Sequence, residues 1–344
     1  MANYWTDTAV YIRRKPQDTL SAEGGRSNKV YAAMSIRTLH SGTQTLIMDA
    51  GRPGHRHQGI PGGGAADKLS FAIANHLVGN PWNTPALECA LGGLHLKFEQ
   101  KSTIAISGAE MWAQNQGLNF PMHKAVQIDK GDILTLSFTR AGCRSYIAIA
   151  GGIKAKPFME SVSTYLPASI GGFDGGPLKT GDVIEIGKPY GPPTKLPIGH
   201  VPRLSNHIVL RARPGPEWDL ISNEGKRYLF TTPFYATSAT DRMGTRLKGD
   251  RIPLIKPANM TSSPMLPGTL QVPPDGKPIL ALADGHCTGG YARALHIIQA
   301  DLWLLGQIAP GAAVSFRRTV EGESESVLKS KNAYYADLIP GFTF

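Results

Sequence analysis

Lys130-Gly131-Asp132-Ile133-Leu134 and Thr180-Gly181-Asp182-Val183-Ile184 share one local design, in which a glycine turn re-aims the chain into an apolar strand. Pro310-Gly311, followed by residues 312–317, is a looser third copy. Repeated turn–strand units of this kind predict a β-barrel or β-sandwich. Outward from them, strand-like runs recur at Leu94–Phe98, 103–107, 133–138, 145–150 and 183–186, and again at 207–212, Thr269–Val272, 279–283 and 312–317. The run Leu94-His95-Leu96-Lys97-Phe98 alternates apolar and polar residues, as a strand with one buried face does. Helices are fewer. Asp67 is a good N-cap ahead of Leu69, Ile73 and Leu77, and Gly79-Asn80-Pro81 stops that helix. A second helix is expected just after Pro216, with Trp218 and Ile221 one turn apart and Gly225 weakening it further on. The fold class expected is mainly β with a few helices.

The 344 residues suggest two domains. Five prolines between Lys188 and Arg203 mark an extended connector. The expected organisation is a weakly structured extension at 1–33, a first β unit at 34–188, the proline-rich connector at 189–204, a second β unit at 205–320, and a tail at 321–344 that begins acidic and ends aromatic. Gly 39 and Pro 26 fit many turns, and 41% hydrophobic residues can build a core, which excludes a globally disordered chain.

Net charge is +10, from 36 Lys and Arg against 26 Asp and Glu. The cations are scattered, and the longest basic run is Arg13-Arg14-Lys15. That pattern suits a diffuse surface attracting small carboxylates or phosphates, and no nucleic-acid partner is expected. Cys89, Cys143 and Cys287 form no C-x-x-C pair, so neither a zinc site nor a disulfide framework is indicated. The opening residues lack an apolar core segment, so no secretory signal is expected. The most apolar stretch, 294–309, carries His296, Gln299, Asp301 and Gln307, so no membrane span is expected either. A cytoplasmic location follows as the expectation.

Three clusters carry possible chemistry. The first runs Asp49-Ala50-Gly51-Arg52-Pro53-Gly54-His55-Arg56-His57-Gln58-Gly59-Ile60-Pro61-Gly62-Gly63-Gly64-Ala65-Ala66-Asp67. It reads as a glycine-rich approach to a ligand at a helix N-terminus, or as a plain turn with its cap. It is not a P-loop: Lys179-Thr180 comes nearest, with Leu178 where glycine is required. His55 and His57 would share one face of a strand, but nothing nearby completes a metal ligand set. The second cluster is Thr240-Asp241-Arg242-Met243-Gly244-Thr245-Arg246-Leu247. Its arginines can grip a carboxylate or phosphate, or it is a surface loop with an Asp–Arg pair. The third joins Pro267-Gly268-Thr269-Leu270-Gln271-Val272-Pro273-Pro274-Asp275-Gly276, whose Pro-Asp-Gly turn signals a hairpin, to Asp284-Gly285-His286-Cys287-Thr288-Gly289-Gly290-Tyr291, whose sudden polarity suits a pocket rim. His286 and Cys287 are sequence neighbours in extended chain and point apart, so they do not pair as base and nucleophile.

In this order the clusters resemble the biotin-dependent carboxyltransferase-like family. That family includes the C-type subunit of bacterial 5-oxoprolinase, allophanate hydrolase subunit 2 proteins and part of the carboxyltransferase region of urea carboxylase. The resemblance spans about 34–319. Among the pieces that carry it are Asp49-Ala50-Gly51-Arg52-Pro53-Gly54, Gly59-Ile60-Pro61, Leu87-Glu88, Ser161-Val162-Ser163-Thr164, Asp241-Arg242-Met243-Gly244, Gln271-Val272-Pro273 and Gly289-Gly290-Tyr291. It implies two cyclophilin-like β-barrel units in tandem and a B-like partner protein, with an A-like one in the same complex. For the oxoprolinase it implies ATP-dependent opening of 5-oxoproline to glutamate, with ATP used by the complex and not through a P-loop here. For the urea carboxylase relatives it implies carboxyl transfer to a urea-like amide. No Met-Lys-Met biotinylation signature occurs, so carboxybiotin would come from another protein. On this basis Asp49 and Asp241 are the expected proton carriers. Arg52, His57, Gly62, Gly63, Gly64, Asp67, Arg242, Arg246, Gln271, Thr288 and Tyr291 are the expected substrate-binding residues. The chain also departs from the family pattern: Met48, His55, Gly63, Ser262-Ser263-Pro264, His286-Cys287 and Ala292 replace its usual residues. Such losses of polar groups fit a shifted substrate, or a non-catalytic paralogue that binds a B-like kinase-inhibitor protein.

Overall fold

The two copies of the glycine–aspartate turn form as one design. Gly131 and Gly181 both take left-handed backbone, at φ +93° and +94°. In each copy the aspartate closes the turn on the backbone N–H three residues earlier: Asp132 accepts from Asp129 at 3.0 Å, and Asp182 from Lys179 at 2.7 Å. Each turn is also fastened to a neighbouring strand, by Gly131 N–H to Phe98 and Gly181 N–H to Thr38. The strands they launch, Ile133–Leu136 and Val183–Glu185, belong to one sheet.

The structure is a computed structural model and describes residues 34–256 and 260–344; the extension at 1–33, with its basic run, lies outside the described residues. These residues belong to one compact unit. Its first half contains two antiparallel sheets, one of six strands and one of five. Ile36, Leu96 and Leu134 of one meet Ile47, Leu87, Ile106 and Ile147 of the other in a shared core. The five-stranded sheet is covered on its far face by helix α1 (Lys68–Leu77), where Leu46, Met48, Tyr146 and Ala148 meet Phe71 and Leu77. Its central strand Ala141–Ile149 is therefore buried on both faces and loses the alternation that Leu94–Phe98 keeps.

The second half is a closed seven-stranded barrel. Thr269–Val272 and Ile279–Ala281 pair as the expected hairpin, and the first and last strands, His207–Pro214 and Ala313–Arg318, close it in parallel. The fold is thus mainly β with two β units, the first parted into two sheets and the second closed. The second helix begins later than its apolar spacing suggests. Trp218–Leu220 makes only a 3-10 turn, and α2 (Asn223–Thr231) starts after Ser222, whose hydroxyl accepts from Gly225 N–H at 3.1 Å. Gly225 does not weaken this helix's packing: a side chain there would begin 2.9 Å from Ile221 and 3.0 Å from the Pro253 carbonyl.

The aromatic tail, unplaced by sequence, has a definite seat. Helix α3 (Glu323–Ala336) carries the chain back to the first half, where Tyr335, Ile339 and Phe342 join the α1 core. Among the described residues no helix is long and apolar enough to cross a membrane.

Asp67 joins cap and halves. Its carboxylate accepts from Ser70 N–H at 2.9 Å and Ser70 hydroxyl at 2.6 Å, and from Gln307, beyond the second barrel's strand Ala292–Ile297, at 2.7 Å. Full burial pushes its carboxyl up to about 6, against the lowering effect of those bonds. An acid whose folded pKa exceeds the unfolded one near 3.8 favours folding most when protonated. Stability therefore falls as pH rises from about 4 to about 6, by about 3 kcal/mol, and is level above. Asn keeps the cap without the charge. Urea midpoints measured from pH 4 to 7 are expected to show this slope in the wild type relative to Asp67→Asn; parallel curves would refute it.

Candidate functional site

The segment from Asp49 to Gly64 leaves the strand Gln44–Met48 and reaches the start of α1, bringing first-half loops against the second barrel. Asp49 anchors it. Its carboxylate accepts from Gly51 N–H at 2.8 Å, Ser161 hydroxyl at 2.6 Å, Val162 N–H at 2.7 Å and Ser163 hydroxyl at 2.5 Å. Both oxygens are engaged, so Asp49 clamps the 161–163 loop instead of offering an open base.

Arg52 differs. It is 1% exposed, and its Nη2 donates to the Ser163 carbonyl, yet Nη1 has no partner. Burial pulls its pKa down, and the charges of Asp49 and Asp284 partly offset this. A side chain on Gly63 would begin 3.4 Å from that Nη1 and 3.4 Å from Asp284 Oδ1. Gly63 and Gly64 have φ of +59° and +81°. The segment is pinned at both ends, by Arg52 N–H to the Gly62 carbonyl at 2.7 Å and by Arg242 Nη2 to the Gly64 carbonyl at 2.6 Å. Among the described residues, no backbone bond there uses the N–H of Gly62, Gly63 or Gly64. What faces Gly63 from the first half is thus a buried guanidinium N–H without an acceptor, which suits a ligand oxygen carrying negative charge.

The second barrel closes this set with ionic bonds. Arg242 donates Nε to Asp284 Oδ2 at 2.8 Å, Nη2 to Asp284 Oδ1 at 3.1 Å, and Nη1 to Glu88 Oε1 at 2.5 Å. All three residues are buried. Glu88 Oε2 accepts from Ala66 N–H and from the Tyr146 hydroxyl, and Arg144 lies 3.3 Å from Oε1. Burial alone would raise the Glu88 carboxyl; Arg242 and Arg144 hold it below its ordinary value. Arg242 is likewise held above its own against burial, by Asp284 and Glu88. Beside this, Arg56 of the first half reaches the carbonyls of Met265 and His286.

The expected binding residues are thus divided. Arg52, Gly62, Gly63, Gly64 and Arg242 come together; Arg242, however, is engaged by protein groups. Asp67 stays in its cap. Asp241 is exposed and closes the turn onto Met243 and Gly244 N–H groups, at 2.7 and 3.0 Å. Arg246 is exposed on the strand Gly244–Lys248, pointing opposite to buried Thr245 and Leu247, so the two arginines do not form one grip. His57 turns its Nδ1 to the Gly54 carbonyl in a short 3-10 turn, not on a strand face. Among the described residues no group of three or more His, Cys, Asp and Glu is placed to hold a metal. Thr288 and Tyr291 are exposed, whereas Gln271 is buried with Nε2 unpartnered against Gly289. Sequence reasoning misses Glu88, Arg144, Asp284, Ser161 and Ser163 as site residues. Two local signals exist: Asp284 opens the polar run read as a pocket rim, and Glu88 is a lone carboxylate in the apolar strand Ala86–Ala90.

Known proteins share this architecture. The family model "Carboxyltransferase domain, subdomain A and B" matches residues 58–318. The chain is 35% identical over 303 residues to the C-type subunit of 5-oxoprolinase from Escherichia coli, covering 88% of this chain and 97% of that protein. It is 33% identical over 306 residues to the Haemophilus influenzae protein of the same name, with the same coverage. It is also similar to the crystal structure of the K. lactis urea amidolyase, with TM-score 0.85 and 27% identity over 90% of this chain but 20% of that one.

Removing Arg242 leaves two buried carboxylates under-paired, whereas Arg246 contacts solvent. Arg242→Ala is expected to cost about 3–5 kcal/mol and Arg246→Ala within about 0.5 kcal/mol in denaturant unfolding. Similar losses for the two variants would contradict these placements.

Proposed function

Because the chain belongs to the carboxyltransferase domain family of subdomains A and B, we propose that it is the C-type component of an ATP-dependent 5-oxoprolinase. In this reading it works with a B-like and an A-like partner and helps open 5-oxo-L-proline to L-glutamate. The near full-length similarity to the 5-oxoprolinase C-type proteins, which covers 97% of the Escherichia coli one, supports it. The observation that carries the site is the buried, unpartnered Arg52 Nη1, 3.4 Å from the point where a Gly63 side chain would begin. An amide carbonyl gains negative charge as its carbon is attacked, and fixed donors in a site shielded from water stabilise that charge most. Arg52 and the glycine amides fill this role, and the second barrel holds them in register. ATP is consumed by the complex.

Carboxyl transfer to a urea-like amide is the second reading. It is favoured by the TM-score of 0.85 to the K. lactis urea amidolyase. The same donors would serve, since that reaction also builds charge on an amide-type oxygen, with carboxybiotin brought by another protein.

ATP-dependent glutamate release from 5-oxo-L-proline by the assembled complex tests the first reading. Arg52→Lys, which keeps the charge but loses the fork, is expected to lower turnover by about 100-fold. Wild-type turnover in that variant removes Arg52 from the role. No turnover by the wild-type assembly, with carboxylation of urea when a biotin carboxylase and carrier are supplied, would favour the second reading.

A further inference from the structure

The carboxylate of Asp284 is fully buried near Arg52, whose Nη2 is bonded to the Ser163 carbonyl but whose Nη1 lacks a partner. One point, where a Gly63 side chain would begin, is 3.4 Å both from Asp284 Oδ1 and from the free Nη1 of Arg52. Left to itself such a carboxylate is the obvious partner for that N–H, because a charge-assisted bond would satisfy both groups. The two are kept apart. Arg242 takes both oxygens of Asp284, at 2.8 and 3.1 Å, in the forked geometry that only a guanidinium provides. Its remaining reach secures Glu88 at 2.5 Å and the Gly64 carbonyl at 2.6 Å. Asp241 aims it inward by closing the turn at Met243 and Gly244.

We infer that Arg242 is a positioning residue that holds Asp284 away from Arg52 and fixes Gly64, so that Arg52 Nη1 and the Gly62–Gly64 amides stay open to an anionic oxygen. The inference rests on the reading of this place as the ligand site, and it changes what the arginine of the Asp241-Arg242-Met243-Gly244 motif does. Arg242 does not grip the ligand; it occupies the competitor for the group that does. Three guanidiniums, Arg52, Arg144 and Arg242, stand there with the carboxylates Asp49, Glu88 and Asp284, so an arriving anion meets Arg52 only while Asp284 is otherwise engaged.

The test is calorimetric titration of the full chain with inorganic phosphate and, separately, with 5-oxo-L-proline, alongside thermal unfolding. Phosphate reads the anion site whatever the natural substrate is. Arg242→Gln is expected to weaken phosphate binding by at least about tenfold, as Asp284 turns to Arg52. Asp284→Asn removes the competing charge and is expected to tighten it by about threefold or more. The double variant Arg242→Gln with Asp284→Asn is expected to recover to within about threefold of wild type while its thermal midpoint stays low. A purely structural arginine predicts affinity that follows the midpoint, so a double variant no better than Arg242→Gln overturns the inference. Weaker binding in Asp284→Asn overturns it too, as does a wild type that binds no phosphate. Where Arg242→Gln fails to fold, Asp284→Asn alone decides. The expected phosphate pattern with no 5-oxo-L-proline turnover by the assembled complex leaves the positioning role standing and removes the 5-oxoprolinase reading.

Discussion

The molecule is organised around one guanidinium. Arg242 leaves the rim of the second barrel and ends between Glu88 of the first half and Asp284 of its own, all three shielded from solvent. Ion pairs removed from water are weak sources of net stability but severe penalties when half of one is lost. Their effect here is on geometry. A misplaced barrel would leave Glu88 with Arg144 alone, Arg242 with Asp284 alone and the Gly64 carbonyl without its donor, so the bonds across the halves form in one relative placement. Gln307, itself uncharged, repeats the logic, accepting from Cys143 and Arg144 N–H while donating to Asp67. The glycine segment then inherits its position from both sides.

What was legible in the sequence was whatever is settled within a few residues. The Gly-Asp turns, the Asp67 cap, the Pro273–Gly276 hairpin and the alternation in Leu94–Phe98 are local, and their chemistry is written in the residues that form them. Regions whose environment comes from afar were less legible. The strand Ala86–Ala90 is buried on both sides, so Glu88 reads as an anomaly until Arg144 and Arg242 arrive from much later in the chain. Tyr335 and Phe342 look like stray aromatics because their counterparts belong to the other end of the molecule. Arg242 and Arg246 share a motif but not a direction, since one sits in a turn and the other on a strand's outer face.

The candidate site was half legible for the same reason. Glycines in a row and an arginine near a helix start announce a place where backbone approaches a ligand, and Arg52 with Gly62–Gly64 forms such a place. Which charges are free and which are engaged depends on pairings across the two halves, and no spacing rule contains them. Asp49 shows the point most simply. It has the chemistry of a base, but four donors from two segments have already claimed its oxygens.

The closure of the second barrel bears on how the chain is made. Its first strand, His207–Pro214, lies parallel to its last, Ala313–Arg318, a separation of about a hundred residues that must be spanned before the barrel has a seam. Beyond that seam, α3 carries Tyr335, Ile339 and Phe342 to the surface of α1, which is synthesised in the first quarter of the chain. During synthesis the first half can collapse early, but its helical face stays bare until residues 335–342 are out, and the barrel that carries Arg242 stays open until its strand Ala313–Arg318 is made. Through that interval an apolar face and a buried-charge socket both wait. Truncation ahead of residue 335 would release a molecule that had built its sheets and never sealed them.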